Sequence, residues 1–287
     1  MRRPRLLRRH RQPEVGPPPP RRSWPWVTAG ALLGGLLGLL ANLPASWLAH
    51  VLEQTTEQRL LLADARGSLW AGSAVAVLTA GPGSRDASAL PGRLHWRLGL
   101  APGTVSAFEL QLQQACCIAL PLRLRLEPGF GRLRISLPAG RTEVGQWPAS
   151  WLIGLGLPFN AVRPGGSLRL TGEAFAVEAV QGRWRVSGQA ELEALGLSSA
   201  LAPVDTLGSY RIVISGGQAQ GSNADAARVT LQTLQGPLRM TGAGQWVGAR
   251  LHFRGEASAD APNGALLNNL LNLLGQRRGA VAVLAIG

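Results

Sequence analysis

Few residues in this chain are of a type and spacing that could do chemistry. Two cysteines, Cys116 and Cys117, are adjacent, and four histidines (His10, His50, His95 and His252) lie far from them in sequence. A cysteine metal site needs further thiolate or imidazole ligands at short spacing, so no metal is expected here. The pair reads either as buried thiols or as a vicinal disulfide. Closing a ring over one peptide bond strains disulfide geometry, yet an oxidising compartment would favour the bond. Glu191 and Glu193, two apart, could share one strand face as an acid–base pair would, but with Leu192 between them they read as a solvated edge. Gly242 to Gly248 (GAGQWVG) fails as a dinucleotide fingerprint, because its third glycine comes one place late and the segment alternates like a strand. There is no G-x-S-x-G elbow, H-E-x-x-H pair or EF-hand loop. The chain also contains no lysine, which excludes a lysine nucleophile, a Schiff base and a P-loop. A nucleophile, base and orienting group cannot be assembled from these residues, so no enzyme, catalytic residue or cofactor is expected.

What must be positioned is therefore a surface, and the first fifty residues indicate where it works. Eight arginines (Arg2, Arg3, Arg5, Arg8, Arg9, Arg11, Arg21, Arg22) precede an apolar stretch from Trp24 to about Leu48. Its centre, Val27 to Ala41, carries no charge. With its flanks it reaches the roughly 20 residues needed to cross hydrocarbon. Trp24, Trp26 and Trp47 fall near the two expected interfaces. The pattern predicts a basic cytoplasmic tail over 1–23, a transmembrane anchor over 24–48 and an exported region over 49–287. Arginines beside a span stay on the cytoplasmic side, which places the exported region in the periplasm of a Gram-negative cell. A cleaved signal peptide fits less well, because the basic region is too long and no small-x-small cleavage site follows. Gly30, Gly34 and Gly38 recur every fourth residue. They offer a small-residue face on which a second copy or a partner helix could pack, although glycine is also common in membrane helices generally.

The net charge is +13. The tail through Arg22 holds eight arginines and one acid, Glu14, accounting for +7 and leaving +6 for the rest. Topology explains the tail's excess, and no RNP, zinc-finger or helix-turn-helix pattern accompanies the remainder, so no nucleic-acid partner is expected.

The exported region alternates with period two. Leu94, Trp96 and Leu98 oppose Arg93, His95 and Arg97; Leu122, Leu124 and Leu126 oppose Arg123 and Arg125; Leu133, Ile135 and Leu137 oppose Arg132, Arg134 and Ser136. Further short strands are expected through residue 255 and again over 280–286, separated by Gly, Pro and Ser turns. The fold class is therefore mainly β, an antiparallel periplasmic domain with a few short helices. Helices are expected over 48–62, 148–156 and 264–275, the last with a wide leucine face. Pro164 to Gly172 and Gly236 to Gly242 share a turn–strand–glycine pattern, consistent with two similar β halves joined near 148–166. Trp70, Trp96, Trp147 and Trp151 read as core anchors.

Several segments in order resemble one family. Gly67-Ser68-Leu69-Trp70-Ala71-Gly72-Ser73-Ala74 is similar to the G-t-l-W-s-G-x-a segment that follows the anchor in the type II secretion system protein N (general secretion pathway protein N) family. Leu94 to Leu98 resembles its tryptophan strand, and Leu155 to Asn160 with Pro164-Gly165-Gly166 its mid-chain helix and turn. Leu207 to Arg211 and Gly236 to Leu238 resemble later strands, and Ala265 to Gly275 with Ala280 to Gly287 the leucine helix and closing strand. The resemblance implies an accessory inner-membrane component of the machinery that exports proteins across the outer membrane, binding other secretion components with no catalytic residues of its own. The Pro17 to Pro20 tail and the vicinal cysteines have no counterpart in that pattern. Strands punctuated by glycine also resemble the AsmA/TamB group, which implies an alternative: a β-groove carrying lipid in the envelope. The inward face of Leu94, Trp96, Leu98, Leu122, Leu124, Leu126, Leu133, Ile135 and Leu137 would serve as core or as groove.

Overall fold

The computed structural model describes residues 24–180, 183–217, 227–248, 250–260 and 264–287, so the basic tail lies outside the described residues. Two units are described separately, one ending at Asn42 and one running from Leu43 to Gly287. The first contains helix α1 (Trp24–Ala41), whose leucines, Leu32, Leu33, Leu36, Leu37 and Leu39 among them, are exposed. Among the described residues no helix is long and apolar enough to cross a membrane.

The apolar stretch expected as one span to Leu48 is divided. Asn42 closes α1: its Nδ2 donates to the Gly38 carbonyl at 2.8 Å. Pro44, extended at φ −71° and ψ 152°, then caps a second helix, α2 (Ala45–Thr55). The proline offers no N–H for α1 to continue. Trp47 therefore belongs to α2, and Ala45 and Leu48 pack into the second unit against Ala74 and Trp96. Helix α2 stops at Thr55, short of the expected Leu62, because Leu60, Leu61 and Leu62 pair with Leu78, Val77 and Ala76 as a strand.

The second unit is mainly β, as the alternation predicts. Sixteen strands form one sheet: β1 (Leu60–Gly67), β2 (Ala71–Thr79), β3 (Ala87–Ala89), β4 (Leu94–Leu100), β5 (Phe108–Gln114), β6 (Ile118–Gly129), β7 (Arg132–Ser136), β8 (Arg141–Pro148), β9 (Gly165–Val180), β10 (Arg183–Ser198), β11 (Gly208–Gly216), β12 (Arg228–Gln235), β13 (Leu238–Val247), β14 (Arg250–Ala259), β15 (Gln276–Arg278) and β16 (Val281–Ile286). The order is β1-β2-β4-β5-β6-β7-β9-β10-β11-β12-β13-β14-β16-β15, with β3 on β2 and β8 on β9. Every pairing is antiparallel, as short turns between sequential strands require. The stretches read as two halves belong to this one sheet. A 3-10 helix (Ala149–Leu155) and the one-turn α3 (Phe159–Val162) connect β8 to β9, and α4 (Gly264–Leu274) precedes β15.

Strands β9 and β10 each run 16 residues, longer than the short strands expected in this region. A paired irregularity keeps them continuous: Ala174 and Gly188 both adopt positive φ, 46° and 75°. A Cβ at Gly188 would collide with the Ala174 carbonyl, so the bulge requires glycine.

The core is divided into three clusters. At the far end α4 buries Leu267, Leu270 and Leu271 against Ala194, Tyr210, Leu238, Ala257 and Ala282. The i, i+3, i+4 spacing makes one stripe, and alanines on the strands let the helix approach. Tyr210 is the only tyrosine in the chain and is 2 % exposed; its hydroxyl shares its proton between the Leu238 carbonyl at 2.9 Å and that of Leu207 at 3.1 Å. Burial pushes its phenol above the ordinary range. Helix α2 covers Trp96, whose ring lies where a Cβ at Gly72 would be. A third cluster sets Trp147 and Trp151 over Ala76, Leu90 and Cys117. Trp96, Trp147 and Trp151 thus serve as core residues, whereas Trp70 makes a tilted ring contact with Phe108, centroids 6.4 Å apart.

Candidate functional site

Because side chains alternate across each strand, the sheet has an apolar face and an arginine-rich face. On the first, Phe108, Leu126, Ile135, Val177 and Val186 align across β5, β6, β7, β9 and β10. This row stays half-buried, and nearby Leu133 and Trp184 are 39 % and 70 % exposed. On the opposite face Glu127, Arg134, Glu178 and Arg185 align across β6, β7, β9 and β10, alternating in charge. Arg132, two residues along β7 from Arg134, brings its Nε to 2.5 Å from Glu178.

The carboxylates singled out by spacing, Glu191 and Glu193, lie on this second face. They do not lie at an edge: β10 is bonded on both sides, by β9 and β11. Their side chains are 13 % and 16 % exposed. Glu193 stands in register between Arg169 and Arg211. Arg211 spans both acids, with Nε 2.5 Å from Glu191 and Nη2 2.8 Å from Glu193. Arg141 approaches Glu191 at 3.6 Å and Arg169 approaches Glu193 at 3.7 Å. The Arg211 hydrogen bond, followed by the charges of Arg211, Arg169 and Arg141, holds the Glu193 carboxyl below its usual range against the opposing effect of burial. Glu193, clamped in this way, is a poor proton acceptor, and the cluster is a charge lock between strands.

Toward the start of the sheet the same face opens into a groove of about 580 Å³ over β1, β2, β4 and β5. Arg66, Ser73, His95, Arg97, Gln111 and Gln113 contribute its polar lining, and no Asp or Glu lines it. Register brings these residues together: Ser73, His95 and Gln113 form one row, and Ala71, Arg97, Gln111 and Arg123 the next. At the rim, Asp64 accepts from Arg66 Nε at 3.0 Å and from Arg93 Nη1 at 2.7 Å. Those two hydrogen bonds hold the Asp64 carboxyl below its usual range. Arg93 also donates to the Asp64 and Ser73 carbonyls, tying β4 to β1 and β2. The alternation of Arg93, His95 and Arg97 is legible in the sequence; the neighbours that register gives them are not.

Cys116 and Cys117 form the turn between β5 and β6, and the structure joins their sulfurs to each other. Cys117 is buried, and its carbonyl accepts from the Gln146 N–H of β8 at 2.8 Å. The turn therefore fixes β8 beneath the β5–β6 hairpin. Gly30, Gly34 and Gly38 lie on α1, where a Cβ at any of them would meet open space. Among the described residues no three His, Cys, Asp or Glu side chains gather as a metal site would need.

No curated protein and no solved structure matches this chain. A family model described as Type II secretion system (T2SS), protein N, matches residues 58–284, from the residues just before β1 to within β16. The match takes in well over half of the chain and nearly the whole sheet with both of its faces, and the chain therefore belongs to the type II secretion system protein N family.

Proposed function

We propose that this protein is an accessory inner-membrane component of type II secretion that binds other envelope proteins and catalyses no reaction. The observation that carries this reading is the extent of the family match, which covers the arginine-rich sheet face and its groove. In this reading the membrane anchor is the uncharged stretch that begins with helix α1, whose leucines are exposed, and that is longer than the helix itself. Its apolar length extends through Leu43 before Pro44 breaks it. The arginines of residues 1–23 keep the tail cytoplasmic and place the sheet in the periplasm. Gly30, Gly34 and Gly38 offer the anchor a face for a second copy.

A second reading has its own observation. A sheet normally buries its apolar face under another layer, yet the row from Phe108 to Val186 is only half-buried. Such a face suits the acyl chain of a lipid. One experiment separates the two. The tagged protein is crosslinked in its native envelope and recovered, and proteins and lipids are analysed from the same eluate. Recovery of secretion components without stoichiometric lipid supports the first reading. Stoichiometric phospholipid without those components replaces it with the second.

A further inference from the structure

The groove over β1, β2, β4 and β5 carries one cation without a counter-charge, Arg97, and a second, Arg123, stands beside it on β6. Arg97 and Arg123 are exposed, and neither side chain has an ion-pair or hydrogen-bond partner among the described residues. They flank Gln111 in one row, Arg97 on β4 and Arg123 on β6. Two strand spacings put their Cα atoms about 10 Å apart. His95 and Gln113, whose side chains are also without partners among the described residues, form the row beside them. Glu109, two residues along β5 and in register with Arg125, accepts from Gln111 Nε2 at 2.7 Å and lies outside the groove lining. Arg66 at the rim is taken by Asp64. The floor is rigid, because the indole N–H of Trp96 donates to the Ser68 and Leu69 carbonyls at 3.2 and 3.1 Å. Two like charges in one row, with an amide between them and no acid in the groove lining, repel each other. Negative charge brought from outside relieves that repulsion.

We propose that this groove and the β6 rim beside it are the docking site for an acidic segment of a protein partner, with Arg97 in the groove and Arg123 on β6 as the two anchoring cations. The inference rests on the protein-binding reading above and names the chemistry of the partner. An extended or helical acidic segment can set two carboxylates about 10 Å apart, matching the separation of the arginines across the strands. A single phosphate would instead call for guanidinium groups converging on one point.

The test uses full-length protein in detergent with a fluorescein-labelled oligoglutamate peptide as probe. The wild type is expected to bind saturably and to weaken as salt rises. The pair Arg97→Gln/Arg123→Gln should weaken binding about tenfold or more. The control pair Arg250→Gln/Arg278→Gln, which removes the same charge elsewhere on the sheet, should stay within about twofold. Gln111→Glu supplies an internal counter-charge without removing an arginine, and it should also lose binding, which guards against a folding defect in the double variant. Undiminished binding by Arg97→Gln/Arg123→Gln overturns the proposal. So does equal weakening by the control pair, and so does binding of anionic phosphatidylglycerol vesicles or inorganic phosphate in place of the peptide. The native-envelope recovery then separates this proposal from the reading beneath it. If secretion components are recovered equally with wild type and double variant, protein binding stands and the groove fails; if the double variant alone loses them, both stand. If neither protein recovers them, the protein-binding reading fails, and the peptide titration alone decides the groove.

Discussion

Two rows of three residues cross this sheet with the same geometry and opposite consequences. Arg169, Glu193 and Arg211 stand in register on β9, β10 and β11; Arg97, Gln111 and Arg123 stand in register on β4, β5 and β6. In each, two arginines flank a side chain that reaches between them. The carboxylate of Glu193 neutralises its neighbours and joins three strands. The neutral amide of Gln111 leaves two positive charges exposed. Substituting one oxygen of the central side chain by nitrogen thus separates a structural lock from a binding surface.

The comparison can be broken most forcefully at the lock. Glu193→Gln should destabilise the protein by about 1–3 kcal/mol in urea or thermal unfolding, since Arg211 keeps Glu191 while Arg169 loses its acid. A change under about 0.5 kcal/mol would mean that the row is only surface decoration. The converse substitution, Gln111→Glu, should leave stability within about 0.5 kcal/mol, yet cost roughly 1.4 kcal/mol, or tenfold, in peptide affinity. Stabilisation well beyond that range would show the groove to be an unfinished lock instead of a site.

Acid sharpens the contrast further. The Glu193 carboxyl lies below its ordinary value of 4.5 in the folded protein, held there first by the Arg211 hydrogen bond. A carboxyl with a depressed folded pKa contributes stability that is present above the unfolded value and lost as pH falls through the folded one. The stability gap between wild type and Glu193→Gln should therefore be full at neutral pH and shrink progressively below about pH 4.5. A gap unchanged down to pH 3 would exclude the carboxylate as its source. The smallest effect is expected at an exposed pair on the same face. Arg125→Gln removes the 2.9 Å contact with Glu127, whose partners are both well exposed, and should change unfolding by no more than about 0.5 kcal/mol.

Much of this fold is legible before any coordinates. The alternation of Leu94, Trp96 and Leu98 with Arg93, His95 and Arg97 specifies a half-buried strand, and the leucine spacing near the end specifies α4 over Gly264–Leu274. Other elements are not legible. Leu60 to Leu62 suit a helix locally and become β1 only because Ala76 to Leu78 stand opposite. Strand β8 is interrupted by Gly145, whose place is set by the Cys117 carbonyl and the Trp147 ring beside it. Glu191 and Glu193 read as an edge because nothing within β10 reveals that β9 and β11 lie on both sides.

The division follows from the range of the forces. Strand periodicity, turn glycines and the uncharged stretch after the arginines are properties of neighbours in the chain, and the sequence alone determined them. Which charges meet is a matter of register, and register is a pairing between strands that local propensity leaves open. Only the tertiary structure decided that Glu193 falls between Arg169 and Arg211, and that Gln111 falls between Arg97 and Arg123. A shift of one residue in either pairing would turn those side chains to opposite faces of the sheet.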